Sequence, residues 1–467
     1  MTDFNRAPEW VRDAIFYQIM VDRFDNSTAD NDDKNALTWG SAPTLDSWMG
    51  GDLNGIRKRW DYLTDLGVTA LYLTPIFTCK SYHGYDTLNY YKVDPRFGTN
   101  EDLKSLVSEA HERGIRVMLD GVFNHVDRGF FAFKDMLKNQ EKSKYRDWFH
   151  IEEFPVAVKR GQDHYAHWAG MASMPKLNVL NPETQAYLLE VARYWIREAD
   201  IDGWRLDAAM EMEHDFIKAF RSAVREVKRD LYIMGEVWTE AQPYLGGDEC
   251  DGTMNYPLRG MILDFVANNT KLPSDMDASL CHIIETYPLY TADAMLNFLS
   301  SHDIERLHDR CGGDPLKVGQ SVLLQMTFLG APCLYYGDEI SLDGGKDPEN
   351  RKVILWDNSG WNIGLRDFYK RLIWLRREKD CFRLGTYKSV LVSDEQKLFG
   401  YAKIAEDTQA LVLFNVSDEA QTAELSLEEV GQQPYEDWLD TGVKVWAEND
   451  LLKVKIPAHG MALLGRG

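Results

Sequence analysis

Ile201-Asp202-Gly203-Trp204-Arg205-Leu206-Asp207 is a short run in which the alternation of a β-strand sends Gly203, Arg205 and Asp207 to one face. Asp202, Trp204 and Leu206 take the other. A guanidinium two residues before a carboxylate, where a strand gives out, can hold that carboxylate ionised by Coulomb attraction and charge-assisted hydrogen bonds. An isolated pair of this kind is more often a buried structural salt bridge, so its meaning depends on what the chain carries on either side.

Similar short apolar runs recur outward in both directions: Ile15–Val21, Ala70–Thr74, Ile115–Leu119, Leu231–Gly235, Met295–Leu299 and Cys333–Tyr336, with a weaker one near Gly252–Met254. Helix-period segments separate them. Thr99-Asn100-Glu101-Asp102 opens one as a capping sequence, with Leu103, Leu106, Val107 and Ala110 on one face and Gly114 as its stop. Asn181-Pro182-Glu183 opens another, with Pro at the first helical position. Strands alternating with helices predict an α/β chain with a parallel sheet, and eight strands predict a (β/α)8 TIM barrel. The alternation breaks twice. Residues 121–175 are rich in aromatics and His without a clear period, too long for a plain connection, and predict an inserted subdomain after the third strand. From 384 onward, short alternating runs at Lys388–Val392, Lys397–Ile404, Ala410–Val416 and Leu451–Ile456 predict a C-terminal antiparallel β-sandwich over 384–467. The barrel is then assigned to 1–120 and 176–383.

In such a barrel the carboxyl ends of the strands converge on one site, so residues distant in sequence can face one ligand. Glu236 follows the run ending at Gly235 and is flanked by Val237 and Trp238, a setting expected to raise its pKa by desolvation and make it a general acid. His302 and Asp303 end the run that starts at Met295, and Asp120 and His125 follow the run that starts at Ile115. Each has a bland reading alone, as a structural anchor or a satisfied histidine. Four strand ends with titratable groups together point to catalysis.

The charges, Lys+Arg 52 against Asp+Glu 74 for a net of −22, would repel a phosphate backbone and exclude nucleic acid or an anionic membrane as the expected partner. The start, MTDFNRAPEW, has no apolar core behind a basic end, and no later run is apolar enough to span a bilayer, so the cytoplasm is the expected location. Six cysteines with no CxxC spacing are expected to be reduced. With 14 Trp, 22 Tyr and 20 Phe there are rings enough for a core and for a cleft that stacks on sugars.

The segments DGVFNH (120–125), GWRLDAAME (203–211), GEVW (235–238) and FLSSHD (298–303), in this order, resemble the four signature segments of the α-amylase superfamily, glycoside hydrolase family 13. MPKLN (174–178), VRDAIFYQIMVDRF (11–24), GGDLNGI (50–56), HGYD (83–86), MNYP (254–257) and YYGDE (335–339) resemble its neopullulanase, cyclomaltodextrinase and maltogenic amylase branch. The resemblance implies Asp207 as nucleophile, Glu236 as general acid then base, and Asp303 as the carboxylate that binds ring hydroxyls and favours the distorted sugar. It implies substrate contacts for Tyr85, stacked under the ring, with His83 and Asp86 supporting it, for His125 and His302, and for Arg205, which orients Asp207. Retaining chemistry of this kind requires the nucleophile and acid ~5–5.5 Å apart.

Asn26, Asn31, Asp32, Gly50 and Asp52 resemble the branch's calcium loop, whose hard oxygens suit Ca²⁺, but Thr28 stands where an acidic residue is expected. Calcium and an ion-free Asn/Asp turn stay open alternatives. The branch usually carries an N-terminal β-sandwich that narrows a partner's active site; this sequence starts almost at the first strand, so monomer and homodimer are both open. The implied activity is a retaining α-glucan hydrolase cutting α-1,4 bonds in cyclodextrins, maltooligosaccharides, pullulan or starch, with transglycosylation as a side reaction. The alternatives are an α-glucosidase, isomerase or glucanotransferase on small α-glucosides, and a non-catalytic carbohydrate-binding relative. Intact Asp207, Glu236 and Asp303 argue against the last, since binding alone needs no matched nucleophile and acid.

Overall fold

The computed structural model describes residues 6–156, 158–159, 162–432 and 434–467. Eight parallel strands form the central sheet: β1 (Phe16–Ile19), β2 (Ala70–Leu73), β3 (Arg116–Gly121), β4 (Gly203–Leu206), β5 (Tyr232–Gly235), β6 (Gly252–Thr253), β7 (Leu296–Phe298) and β8 (Ala331–Tyr335). Each pairs in parallel with the next from β1 to β6, β7 pairs with β8, and β8 pairs with β1. A single parallel bridge between Met254 and Leu296 spans the remaining seam, which makes the sheet a barrel. The strands are the eight expected from the sequence, trimmed by a residue or two at most ends.

The inward set of side chains changes character along the barrel axis. Phe16, Ala70, Met118, Tyr232, Leu296 and Ala331 form an apolar plug towards the amino ends. Two residues further along their strands, β1, β3 and β4 place Gln18, Asp120 and Arg205 inside, all buried. Asp120 and Arg205 are direct register partners. Gly203, two residues before Arg205, leaves room for this crowding: a Cβ there would lie 3.0 Å from the Tyr232 carbonyl and 3.1 Å from Met118.

The expected caps are present. Thr99 accepts from the Asp102 amide at the start of Asn100–Glu112, Asp102 answers on the Thr99 amide, and Gly114 beyond the far end takes φ +71°. Asn181 accepts from the Glu183 and Thr184 amides at the start of Pro182–Ala199. Between β3 and β4, the segment after Gly121 carries a helix, Phe131–Asn139, and is tied by isolated bridges, His125 to Lys176, Phe149 to Leu177 and His167 to Pro175.

The C-terminal part is two antiparallel sheets, of five strands (Thr386–Ser393, Leu398–Ile404, Gln409–Asn415, Met461–Arg466, Glu436–Asp437) and three (Gln421–Ser426, Leu451–Ile456, Lys444–Glu448). Alternation divides the larger sheet. Leu398, Ala402, Leu411 and Leu464 face the smaller sheet, while Phe399, Tyr401, Val412 and Phe414 join the apolar cluster that surrounds the barrel. All six cysteines are free. Among the described residues no helix is long and apolar enough to cross a membrane.

Candidate active site

The carboxyl ends of the strands surround a cleft of about 340 Å³, and the predicted His83, Tyr85, His125, Asp207, Glu236 and Asp303 all line it. Arg205 lies beneath them, fully buried. Its Nη1 donates to Asp207 Oδ1 at 2.7 Å and to both oxygens of Asp120 at 3.0 and 3.2 Å, and its Nη2 lies 2.9 Å from Glu236 Oε1. One guanidinium thus joins carboxylates from the ends of three adjacent strands. Asp207 Oδ2 has no hydrogen-bond partner, which leaves one carboxyl oxygen free.

Three carboxylates around one cation cannot all be cheaply ionised in a buried site. Burial pushes the Asp207 carboxyl well up; Arg205 opposes this, and the Glu236 and Asp120 charges add to it. Burial likewise pushes Asp120 up to about 6 against the pull of Arg205 and of the Tyr72 and Tyr85 hydroxyls. Asp120 and Asp207 therefore share their titration and hold protons to higher pH than exposed carboxyls do.

Glu236 differs from the apolar pocket expected for it. Its Oε1 accepts from Trp238 Nε1 at 3.0 Å and its Oε2 from the Ala208 amide at 2.8 Å. Trp238, 50% exposed, walls the cleft beside Glu236, which is itself only 4% exposed. The strand reversal after β4 supplies the second donor, with Ala208 in the left-handed region at φ +47°.

The Tyr85 ring stacks on His302 (5.3 Å between centroids, 9° apart) and less closely on His83 (5.9 Å, 24°). Its hydroxyl donates to Asp120 at 2.8 Å. Asp86 does not reach the cleft; its carboxylate accepts from the Ser81 amide and hydroxyl and shapes the loop that presents Tyr85. Gly84 in that loop has φ +81°, and a Cβ there would meet the Pro75 carbonyl at 2.6 Å. His125 Nε2 is buried without a partner, and the Trp168 ring stacks on the imidazole at 5.2 Å. Burial lowers His125 to about 3 and His83 to about 4, and His302 well below its usual range, so all three are neutral hydrogen-bonding groups at neutral pH.

This assigns the acid limb of activity to carboxylates. The rate is expected to fall as pH drops through about 6, where Asp120 takes up a proton and Arg205 loses part of its counter-charge. His125→Asn is expected to lower kcat/KM at every pH without moving that limb. A kcat/KM profile from pH 4 to 8 checks this, and a limb that shifts with the substitution contradicts it.

Trp168, Met171, Met174, Asp347 and Arg351 also line the cleft, without having stood out in the sequence as site residues. Met174 begins the MPKLN segment and could have been proposed from it. Arg351 had no local signal: it lies in the polar connection after β8, donates to the His302 carbonyl at 2.7 Å, and pairs with Asp347 at 3.2 Å.

The loop after β1 brings Asn26, Asp32 and Gly50 together. Asn26 Nδ2 lies 3.0 Å from both Asp32 oxygens, and a Cβ on Gly50 would fall 2.4 Å from Asp32 Oδ1. Asn31 Oδ1 is buried with no partner, as an oxygen awaiting a cation would be. Asp52 is differently employed: it caps Leu53–Arg57 through the Gly55 amide at 2.5 Å and accepts from the Ser27 hydroxyl and the Ser27 and Thr28 amides. The residues fit a hard cation through Asn26, Asn31, Asp32 and Gly50, with Asp52 as the strut behind them. Among the described residues no group of three or more His, Cys, Asp or Glu forms a metal cluster.

Residues 18–378 match the family model described as "Alpha amylase, catalytic domain". A cyclomaltodextrinase of Geobacillus thermopakistaniensis (strain MAS1) is 45% identical over 465 residues, 99% of this chain and 78% of the relative. Neopullulanase 2 of Thermoactinomyces vulgaris is 42% identical over 98% of this chain and 78% of its own length. Among solved structures, the cyclic α-maltosyl-(1→6)-maltose hydrolase of Arthrobacter globiformis, in complex with that sugar, superposes with a TM-score of 0.90 at 37% identity, covering 98% of this chain and 100% of that one. With barrel, cleft and family model in agreement, the chain belongs to the α-amylase family.

Proposed function

We propose that the chain is a retaining α-glucan hydrolase that cuts α-1,4-glucosidic bonds in small cyclic or linear glucans. The observation that carries the reading is the single guanidinium of Arg205 in contact with both Asp207 and Glu236. A nucleophile and an acid held on one planar fork suit the short separation of a double displacement, ~5–5.5 Å, with no space for the water an inverting enzyme places between them. In the first step Asp207 Oδ2, the oxygen free of partners, attacks the anomeric carbon while Glu236 gives its proton to the departing oxygen. In the second, Glu236 takes a proton from water as the water oxygen bonds to the anomeric carbon and the bond to Asp207 breaks, which regenerates the carboxylate and the protonated acid. Asp303, with His302 beside it, accepts hydrogen bonds from hydroxyls of the bound ring. Trp238 lies on the side of Glu236 and meets the departing part of the chain; a sugar hydroxyl bound there in place of water gives transglycosylation.

The test is incubation with β-cyclodextrin, maltotriose, pullulan, starch, sucrose and cyclic maltosyl-maltose, with products resolved by chromatography. The last is included because the Arthrobacter globiformis enzyme, similar over its whole length, is named for it. Release of maltose or glucose from any of the α-glucans supports the reading, and turnover of sucrose alone would replace it with a glucosidase or transferase.

Asn26, Asn31, Asp32 and Gly50 are proposed to hold Ca²⁺, which would supply a fixed positive charge that ties the loop after β1 to the loop before Leu53. Such an ion binds only the folded chain and stabilises it by mass action. A chelator is then expected to lower the melting temperature of protein shown by elemental analysis to contain calcium. An unchanged melt in metal-free protein contradicts the site.

A further inference from the structure

Gln18, on the inner face of β1 and 1% exposed, touches the site through one atom: its Nε2 lies 2.9 Å from Nδ1 of His302. The other ring nitrogen, Nε2, lies 3.1 Å from Asp303 Oδ2 and 2.5 Å from the Tyr85 hydroxyl. Burial, with the Arg351 and Arg205 charges, keeps His302 neutral, so the ring carries one N–H. The Asp303 side chain, 35% exposed to the cleft, presents a carboxylate that can only accept. The Tyr85 hydrogen is spent on Asp120 Oδ2 at 2.8 Å, so its oxygen faces His302 as an acceptor too. Two acceptors at Nε2 place the hydrogen there and leave Nδ1 a bare lone pair. Of the two ends of the Gln18 amide, only the NH₂ satisfies that lone pair. This orientation follows from the whole chain of contacts and does not depend on telling amide nitrogen from oxygen.

We propose that Gln18 is a positioning residue: its amide N–H holds His302 in the Nε2–H tautomer, which keeps a hydrogen, not a lone pair, on the nitrogen that faces the Tyr85 hydroxyl and the nearby Asp303 carboxylate. The inference deepens the proposed hydrolase reading, because the Tyr85 ring that lines the cleft is then held by His302 as well as by Asp120, while Asp303 faces a hydrogen and keeps its oxygens for ring hydroxyls. Without the Gln18 donor, the hydrogen can move to Nδ1, and a lone pair then opposes the carboxylate.

The test is nitrogen-15 NMR of histidine-labelled protein, with the His302 signal assigned by its loss in His302→Gln. The wild-type ring is expected to be the Nε2–H tautomer. Gln18→Glu, of the same size, puts an acceptor at Nδ1; it is expected to turn the ring to Nδ1–H or to the imidazolium and to lower kcat/KM on β-cyclodextrin about 10- to 100-fold. Gln18→Met, which keeps the volume and removes the donor, is expected to leave a mixture of tautomers with a smaller loss, and it carries the test should the Glu variant fail to fold. An Nδ1–H ring in the wild type, or an unchanged tautomer and rate in the variants, overturns the proposal. A wild type that shows the Nε2–H ring but cleaves no α-glucan supports the tautomer assignment and sinks the hydrolase reading instead.

Discussion

Asp207→Asn is expected to lower turnover of β-cyclodextrin by on the order of 10⁴-fold or more, about 5.5 kcal/mol of transition-state stabilisation, while the fold stays intact. The two halves of that result have separate causes. The amide oxygen of Asn can still accept from Arg205 Nη1, so the 2.7 Å contact has a replacement and the guanidinium stays in place. Asn also removes one of three carboxylates crowded on a single cation, and burial already opposes charge on that carboxyl. The melting temperature is therefore expected to hold or rise by a few degrees. What is lost is the oxygen nucleophile, since a neutral amide cannot form the glycosyl ester. Thermal melts beside single-substrate kinetics check both, and near-normal turnover would remove Asp207 from its role.

Glu236→Gln is expected to cost about 10²- to 10⁴-fold on natural glucans, the usual worth of a general acid. It has a structural cost that Asp207→Asn lacks. Both Glu236 oxygens receive N–H donors, from Trp238 on one side and the Ala208 amide on the other, with the Arg205 guanidinium as an ion-pair neighbour of the first. The Gln NH₂ must oppose one of these donors, so a loss of about 1–3 kcal/mol of stability is expected. The kinetic loss should depend on the leaving group. An α-glucosyl fluoride needs no proton to depart, so its first step should proceed at close to the wild-type rate, while maltotriose cleavage is nearly abolished. An equal loss on both substrates would mean that the residue supports the site without donating the proton.

Parts of this arrangement were legible in the sequence because they rest on local periodicity. Strand alternation placed Arg205 and Asp207 on one face, and their 2.7 Å contact is what that alternation implies. Apolar runs ending in polar residues marked the ends of β3, β4, β5 and β7, and the caps at Thr99 and Asn181 were readable as written. The environment of Glu236 was not readable. Flanking Val and Trp suggested desolvation, but the fold turns the Trp238 indole back as a donor and brings in the Ala208 amide from a neighbouring strand end. The Arg351 connection has no periodicity, and its place in the cleft is fixed by contacts to the His302 carbonyl, 49 residues away in sequence. Asp52 shows the reverse case: an Asp before Leu-Asn-Gly is a helix cap by its residue type, and that local use now occupies its oxygens.

Asp207 and Glu236, joined by one guanidinium, are proposed to act as nucleophile and acid in a double displacement. Proton NMR of the first product released from β-cyclodextrin, recorded before mutarotation, tests it most directly. Double displacement gives the α-anomer at the new reducing end; a β-anomer would mean that water attacks directly from the opposite face and that Asp207 is no nucleophile.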